Sequence, residues 1–79
     1  MVNFVGRIIK KHRQWKELSL TELAQKSGIH RNYLSEIERG AHDPSIKTLA
    51  KIANALNMPI SQIFKEAEEE EGNEKQKTD

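Results

Sequence analysis

The chain has 79 residues and a formal net charge of +1, and it contains no cysteine. This length allows one small domain, and the lack of cysteine excludes a disulfide framework and a thiolate metal site. No apolar run approaches the length of a membrane span, and the hydrophobic residues, 35% of the chain, recur singly at helical spacing. We therefore predict an all-α, cytoplasmic protein with no membrane contact.

The small net charge hides an uneven distribution along the chain. Residues 1–65 contain eleven Lys and Arg against five Asp and Glu, whereas residues 66–79 contain two against seven. A basic globule with an acidic tail is a common layout for proteins that bind polyanions. An ordinary solvated surface would carry the same charges, so the distribution by itself favours neither interpretation.

The first predicted helix covers residues 5–15 and presents Val5 and Ile9 on its apolar side. His12 lies on the same stripe, at a position where an apolar residue would be expected. Because no His, Asp or Glu shares that face at ligand spacing, we expect His12 to be partly buried and bonded to a neighbour rather than to a metal. Trp15, near the end of the helix, either covers the edge of the core or belongs to an interface.

The stretch from Ser19 to Gly28 carries the signals of a short second helix. Ser19 and Glu22 form a capping box, in which the Ser19 hydroxyl accepts a hydrogen bond from the Glu22 amide and the Glu22 carboxylate reaches back. Ala24 offers the small side chain that a close helix crossing requires. Gly28 can take the positive φ of a tight turn, so we predict that the second helix ends there.

Leu34 and Ile37 predict a third helix, from about residue 31 to residue 39, that packs on the second. The two helices and their turn, residues 20–39, have the spacing of a helix-turn-helix motif. On the outer face of the third helix, Glu36 can accept a hydrogen bond, such as one from a cytosine amine. The other polar side chains on that face can hydrogen-bond to a base edge or a phosphate: Arg31, Asn32, Ser35 and Arg39.

Two charged residues near the end of the third helix have structural interpretations beside functional ones. Glu38 is expected to pair with Arg7, Arg13 or a backbone amide and thereby to brace the third helix against the first. Arg39 either binds a phosphate or is a cation favoured by the negative end of the helix dipole.

Ser45 is the predicted cap of a fourth helix, after a loop that ends the third helix at Gly40. Lys47 stands in its first turn, where the helix dipole disfavours a cation, so we expect Lys47 to serve the anion of a partner. The apolar stripe of this helix is regular and predicts one buried face: Ile46, Leu49, Ile52, Ala53 and Leu56.

A fifth helix is predicted from about Ile60, with Ile63 and Phe64 directed inward. It is expected to fray within Glu68–Glu71, because adjacent carboxylates repel one another. Residues 73–79 are rich in charged and polar side chains and are expected to be disordered.

The chain therefore divides into a globular domain, residues 5–64, and an acidic C-terminal extension, residues 65–79. The domain contains, in order, a series of residues that is hard to obtain by chance: Ile9, Arg13, Leu18, Ser19, Glu22, Leu23, Ala24, Ser27, Gly28, Ile29, Tyr33, Leu34, Ser35, Ile37, Glu38, Arg39, Gly40, Pro44, Ser45, Leu49, Ile52, Ala53, Leu56, Ile63 and Phe64. In this series the chain resembles the lambda-repressor-like, Cro-type helix-turn-helix transcription regulators, also called the xenobiotic-response-element family.

The resemblance implies a five-helix domain whose third helix docks in the major groove of double-stranded DNA. It also implies a sequence-specific regulator that binds a near-palindromic operator as a homodimer, and we expect no cofactor. Thr21 and Gln25 occupy the exposed face of the second helix, where activating relatives often carry acidic residues, so repression is favoured. Base contacts are predicted for Arg31, Asn32, Ser35 and Glu36. Phosphate contacts are predicted for Ser19, Thr21, His30, Arg39, His42 and Lys47.

Several positions depart from the usual pattern of that family, and one of them is Glu17, which replaces a common glycine. Leu20 stands where glutamine is frequent and cannot bridge a phosphate and the third helix, so backbone amides and Thr21 must bind phosphate instead. His30 replaces the usual Ser or Thr cap of the third helix, and its neutral imidazole can cap that helix or point toward DNA. His42 lies where Arg or Lys is frequent, and it would bind phosphate better when protonated.

Two other classes of function fit less well. As a protein-interaction module, such as an antitoxin or an anti-repressor, the chain would bind a protein partner through the acidic tail, Glu66–Asp79. An enzyme is not expected, because the sequence shows no nucleophile paired with a base, no phosphate-binding glycine loop and no metal-ligand constellation. The three histidines fall on separate predicted elements: His12, His30 and His42.

Overall fold

Five α-helices joined by short turns make up the part of the chain that the structure, a computed structural model, describes. Residues 4–77 are described, with the side chains of residues 4–72. The helices are α1 (Phe4–Trp15), α2 (Leu20–Ser27), α3 (Arg31–Glu38), α4 (Ile46–Ala55) and α5 (Ile60–Lys77). This part of the chain contains no strand, which confirms the predicted all-α class. None of these helices combines the length and the apolar character that crossing a membrane requires.

The helices enclose one core of aliphatic side chains. α1 packs against α3 and α5, α4 packs against α2 and α5, and α2 also packs against α3. Nine large side chains are shielded from solvent almost completely: Ile8, Ile9, Leu23, Leu34, Ile37, Leu49, Ile52, Leu56 and Ile63. Each of the five helices contributes at least one of these side chains, so the separate apolar stripes of the sequence pack into a single core.

The turn signals around α2 act as predicted. The Glu22 amide donates to the Ser19 hydroxyl at 3.0 Å, and the Ser19 amide donates to the Glu22 carboxylate at 2.8 Å. Gly28 has a φ of 73°, and its amide bonds back to the end of α2. These interactions span only three or four residues, and this short range explains why the sequence alone places α2 and its turn correctly.

α1 crosses α3 at Gly6, a contact that was not predicted from the sequence. A Cβ atom at Gly6 would collide with the carbonyl oxygen of Ile37 and would lie 3.2 Å from the Cα of Glu38. Only a residue without a side chain lets the two backbones approach this closely. A glycine inside an amphipathic helix gives no local sign of such a crossing, because the partner backbone lies far along the chain.

His12 is buried and bonded to a neighbour, as predicted. Its Nε2 lies 2.9 Å from Oε1 of Glu66, Lys11 lies 3.0 Å from the same oxygen, and Gln62 donates to the other oxygen at 2.8 Å. Partial burial acts to raise the pKa of Glu66, but the hydrogen bonds from Gln62, His12 and Lys11 outweigh it and lower that pKa to about 2. These four residues, which we call the α1–α5 clamp, hold α5 against α1.

α5 is longer than the sequence predicted. It does not fray within residues 68–71, and its backbone is helical over residues 73–77, where disorder was expected; residues 78 and 79 lie outside the described part. Arg7 pairs with Glu70 at 3.3 Å. This pair and the clamp bring cations of α1 to the acidic run, and they offset the repulsion among its carboxylates on which the prediction of fraying rested.

Two apolar side chains that were predicted to face inward are instead exposed. Ile46 is 65% exposed and Phe64 is 39% exposed. Ile46 is the first residue of α4, and because helical side chains lean toward the N-terminus, it extends past the end of the helix rather than over the core. Phe64 follows the buried Ile63 and lies at the edge of the apolar stripe of α5.

Candidate nucleic-acid interface

The outward side of α3 carries the four side chains predicted to contact bases. Arg31 and Asn32 are exposed, and Ser35 and Glu36 are half-buried. At 3.6 residues per turn, these positions fall within roughly 140° of the helix circumference, and Arg39 falls among them. α3 therefore presents one polar face, which holds several hydrogen-bond donors and one carboxylate.

The opposite side of α3 is held in place by packing and by a buried ion pair. Leu34 and Ile37 are fully buried. The Arg13 guanidinium donates to both carboxylate oxygens of Glu38, at 2.7 and 3.0 Å, and to the carbonyl oxygen of Leu18 at 2.8 Å. The predicted brace between the first and third helices is thus confirmed, with Arg13 as the partner of Glu38. Because turning α3 about its axis would break this two-point contact, its outer face has a fixed direction.

The N-terminus of α2 keeps only part of its capacity to bind a phosphate. The hydrogen bond from the Ser19 amide, and then that with the Ser19 side chain, hold the pKa of Glu22 below its ordinary value. The ionised Glu22 therefore occupies one backbone donor and places a negative charge beside the helix end. The donors that remain are the hydroxyl protons of Ser19 and Thr21 and the backbone amides of Leu20 and Thr21, because the Glu22 amide already donates to Ser19.

His30 precedes α3 but does not cap it. Its backbone has the extended conformation of a cap residue, yet its side chain makes no capping hydrogen bond. Of the two roles predicted for His30, capping α3 is therefore not the one that the structure shows. The exposed imidazole stands at the N-terminal end of α3, next to Arg31.

The loop after α3 brings His42 back against that helix. Gly40 starts the loop with a φ of 82°. Nε2 of His42 lies 3.5 Å from Oε1 of Glu36, and the rings of His42 and Tyr33 meet edge-on with their centroids 6.2 Å apart. The sequence suggested His42 as a phosphate ligand but gave no sign of this grouping, since helical periodicity does not determine where a loop residue lies.

Two cationic residues flank the same loop. Arg39 is the C-cap of α3, Lys47 is the second residue of α4, and both side chains are exposed. The Ser45 hydroxyl accepts a hydrogen bond from the Thr48 amide at 3.1 Å, which confirms the predicted cap of α4. Lys47 has no part in that cap, so its charge is available to an anion.

The acidic C-terminal helix does not cover this surface. α5 packs mainly against α1 and α4, and its Glu66 and Glu70 pair with α1. The polar face of α3 therefore stays accessible. Among residues 4–72, whose side chains the structure describes, no group of three or more His, Cys, Asp or Glu side chains is placed to hold a metal ion.

A family model described as helix-turn-helix matches residues 9–63 of the chain. SlrR, an HTH-type transcriptional regulator of Bacillus subtilis (strain 168), is 41% identical over 61 residues, a match that covers 76% of this chain and 40% of SlrR. This chain spans 34% to 63% of the length of the curated relatives that were compared with it.

Solved structures show the same fold. The clp gene regulator ClgR from Corynebacterium glutamicum matches with a TM-score of 0.92 at 29% identity, over 96% of this chain and 81% of ClgR. The biofilm regulator SinR, solved in complex with DNA, matches with a TM-score of 0.73 at 39% identity, over 76% of this chain and 97% of that structure. The family is one of transcription regulators, in agreement with the expectation that the chain is not an enzyme. From its helix order, its capped turn and these matches, the chain belongs to the lambda-repressor-like helix-turn-helix family.

Proposed function

We propose that the chain recognises double-stranded DNA in a sequence-specific manner, with α3 in the major groove, as the DNA-binding part of a transcription regulator. The observation that carries this proposal is the single polar face of α3, which the Arg13–Glu38 pair directs outward and α5 leaves open. SinR, which has the same fold, is solved with DNA.

Four residues of α3 supply base discrimination in this proposal. Arg31 suits guanine, to which a guanidinium donates two hydrogen bonds, and Asn32 suits adenine in the same way. Ser35 can donate or accept, and Glu36 accepts from a cytosine amine. Affinity without base preference comes from the residues around α3 that reach phosphates: Ser19, Thr21, His30, Arg39, His42 and Lys47.

Substitutions of Arg31 and Lys47 test the two kinds of contact. Arg31→Ala should relax the preference at one base pair, worth roughly 1–3 kcal/mol of discrimination. Lys47→Ala should weaken binding to every sequence by the same factor. It should also reduce the magnitude of the slope of log affinity against log salt concentration by about 1. Duplexes selected from random DNA, titrated by fluorescence anisotropy at several salt concentrations, measure both effects.

Lys65→Ala is the matched control, because it removes an exposed cation from α5, away from α3. It should leave both the base preference and the salt slope unchanged. Binding that is blind to sequence and independent of salt would contradict the proposal, and so would an equal effect of Arg31→Ala on every base pair.

We also propose that the chain binds DNA as a homodimer on a near-palindromic site. Exposed Ile46 and Phe64, together with Val5, line a mainly apolar groove of about 310 Å³ whose rim carries carboxylates, among them Glu68. A second copy would bury these apolar side chains. Two half-sites one turn of duplex apart require the two α3 helices of the dimer to lie about 34 Å apart.

The oligomeric state of variants in this groove tests the interface. Ile46→Glu should shift sedimentation velocity from dimer toward monomer, because a carboxylate would be buried beside carboxylates. Trp15→Glu is the control, since it makes the same change at an exposed apolar residue outside the groove. A dimer that withstands Ile46→Glu would contradict this interface, and a wild-type chain that binds its operator as a monomer would contradict dimerisation.

Repression is the regulatory outcome that we propose. Thr21 and Gln25 are exposed on α2 and offer no acidic contact of the kind that activators often present. A repressor acts by occupying its operator, for which the α3 surface is sufficient. We place this activity in the compartment that holds the DNA, which we predict to be the cytoplasm.

A protein partner on the C-terminal helix is the second candidate function, and the groove between α1 and α5 favours it. This groove, of about 810 Å³, is lined by Trp15, Lys65 and Glu69, among others, and Trp15 is 75% exposed. Glu66, the first residue of the predicted partner segment, is already engaged in the α1–α5 clamp, so a partner would meet the exposed carboxylates that follow it.

Trp15→Glu discriminates between the two candidate functions. A partner site predicts that a reporter gene under the operator loses its regulation in cells while binding of the purified variant to the same operator stays unchanged. A chain that acts through DNA alone predicts that neither measurement changes.

A further inference from the structure

A small cluster at the end of α3 has a role beyond the base and phosphate contacts proposed above. His42 lies in the loop between α3 and α4, and its Nε2 is 3.5 Å from Oε1 of Glu36. Its ring also meets the ring of Tyr33 at 62°, with the centroids 6.2 Å apart. Tyr33, Glu36 and His42, which we call the His42 cluster, link this loop to the outer face of α3.

Glu36 brings the one negative charge among the outward residues of α3, which are Arg31, Asn32, Ser35, Glu36 and Arg39. In the major groove the phosphates of both strands would repel this carboxylate. A nearby cation that compensates this charge would favour a conformation in which the carboxylate stays directed at a base. His42 is the side chain that the structure places against it.

The contact between His42 and Glu36 depends on the charge of the imidazole. At 3.5 Å the two atoms are too far apart for a strong hydrogen bond, so their attraction is mainly electrostatic. Histidine side chains ordinarily change charge between about pH 5 and about pH 8. A protonated His42 attracts the carboxylate, whereas a neutral His42 leaves it uncompensated.

The other ionisable groups of the elements that meet here act in both directions. Tyr33 is neutral and restricts the ring of His42 by its edge contact. The same elements carry two exposed cations, Arg39 at the end of α3 and Lys47 at the start of α4, and one exposed carboxylate, Asp43 in the loop. Among these groups, Glu36 has the charge and the contact that couple His42 to the outer face of α3.

We propose that His42 is a positioning residue, which holds one carboxylate oxygen of Glu36 and leaves the other directed at a base. His42 thereby determines how strongly the chain discriminates at the base pair that Glu36 contacts, without touching a base itself. This inference rests on the proposed function, because it requires α3 to lie in the major groove.

Base discrimination as a function of pH tests this role. The base pair contacted by Glu36 is identified as the one at which Glu36→Gln relaxes the base preference. Discrimination at that base pair is the Kd for a duplex with a substituted base pair divided by the Kd for the preferred duplex, both measured at the same ionic strength. In the wild-type chain this ratio should be about fivefold larger, or more, at about pH 6 than at about pH 8. His42→Gln should abolish that difference and give the low ratio throughout.

Two further variants separate positioning from a plain phosphate contact. His42→Lys carries a permanent cation and should keep the high ratio at both pH values. Because His42 acts through Glu36, the double variant His42→Gln/Glu36→Gln should discriminate no worse than Glu36→Gln alone. The preference at the base pair contacted by Arg31 is the internal control, and neither pH nor His42→Gln should change it.

Two outcomes would overturn the inference while leaving the proposed function standing. One is a wild-type ratio that is equal at both pH values, and the other is a His42→Gln variant whose ratio still changes with pH as that of the wild-type chain does. A wild-type chain with no base preference at any position would instead contradict the proposed function itself.

Discussion

At the scale of the residue, four glutamates of this chain have four different roles because their surroundings differ. Glu22 caps α2, Glu36 faces outward from α3, Glu38 is buried beside Arg13, and Glu66 joins α5 to α1. The capping role depends on neighbours three residues away, whereas the last two roles depend on a helix distant in sequence. The role of each carboxylate is therefore determined by the groups that it contacts, not by the residue type.

The buried pair of Arg13 and Glu38 predicts a large effect of a small change. Glu38→Gln should lower the free energy of unfolding by about 3–5 kcal/mol, because Arg13 would remain buried without its counter-charge. Urea unfolding followed by circular dichroism measures this loss. Glu69→Gln, which removes an exposed carboxylate, is the control and should change the free energy by less than about 0.5 kcal/mol. Equal effects of the two variants would mean that the pair does not stabilise α3.

At the scale of the element, α1 is the helix on which α3 and α5 are both positioned. Its Gly6 side approaches the backbone of α3, and its His12 side holds α5 through the clamp. The orientation of α3 depends on how closely the backbone of α1 approaches the backbone of α3. The direction of the polar face of α3 depends on the same contact.

Substitution of Gly6 tests that dependence. Gly6→Ala should lower the free energy of unfolding by about 1–3 kcal/mol, because the added methyl group forces α1 and α3 apart. Gly72→Ala is the matched control: a Cβ there meets nothing within 4 Å, and the higher helix propensity of alanine should leave stability unchanged or raise it by up to about 1 kcal/mol. In thermal or urea unfolding, Gly6→Ala should therefore be less stable than the wild-type chain and Gly72→Ala should not, and a Gly6→Ala variant as stable as Gly72→Ala would contradict a tight crossing at Gly6.

The elements themselves were predictable from the sequence, and their contacts were predictable only in part. The helices, the cap at Ser19 and the turn at Gly28 depend on residues close together in the chain, so local spacing identifies them. The outward face of α3 follows from the same periodicity. The burial of Phe64 was predicted wrongly, because an aromatic residue at the edge of a stripe is buried only where a neighbouring helix covers it. The grouping of His42 with Glu36 was missed, because a loop of irregular backbone brings them together.

At the scale of the whole molecule, the two charged regions of the sequence lie partly against each other. The carboxylates of α5 pair with cations of α1, while α3, its loop and the start of α4 keep their cations exposed. The acidic extension therefore neutralises the side of the domain away from α3, and the positive potential is concentrated where DNA is proposed to bind.

The hydrogen bonds that Glu66 accepts in the α1–α5 clamp predict how the free energy of unfolding depends on pH. The pKa of Glu66 falls from 4.5 to about 2 on folding, so its contribution is fully present above about pH 4.5 and is lost as the pH falls toward 2. Glu66→Gln should therefore be less stable than the wild-type chain at neutral pH, and its stability should decline less between pH 4.5 and pH 2. Urea midpoints across this range measure the difference. Parallel pH curves for the two chains would show that the clamp does not stabilise the fold.

Trp15 is the only tryptophan of the chain, and it lies at the groove between α1 and α5, with its ring centroid 5.9 Å from that of His12. The protein consequently has a built-in fluorophore at the junction of its first and last helices. Its emission should be that of a solvated indole, readily quenched by iodide. A ligand that occupies this groove should shift the emission to shorter wavelength, whereas DNA bound at α3 should leave the spectrum as it is. One unlabelled sample can thus report which of the two surfaces is in use.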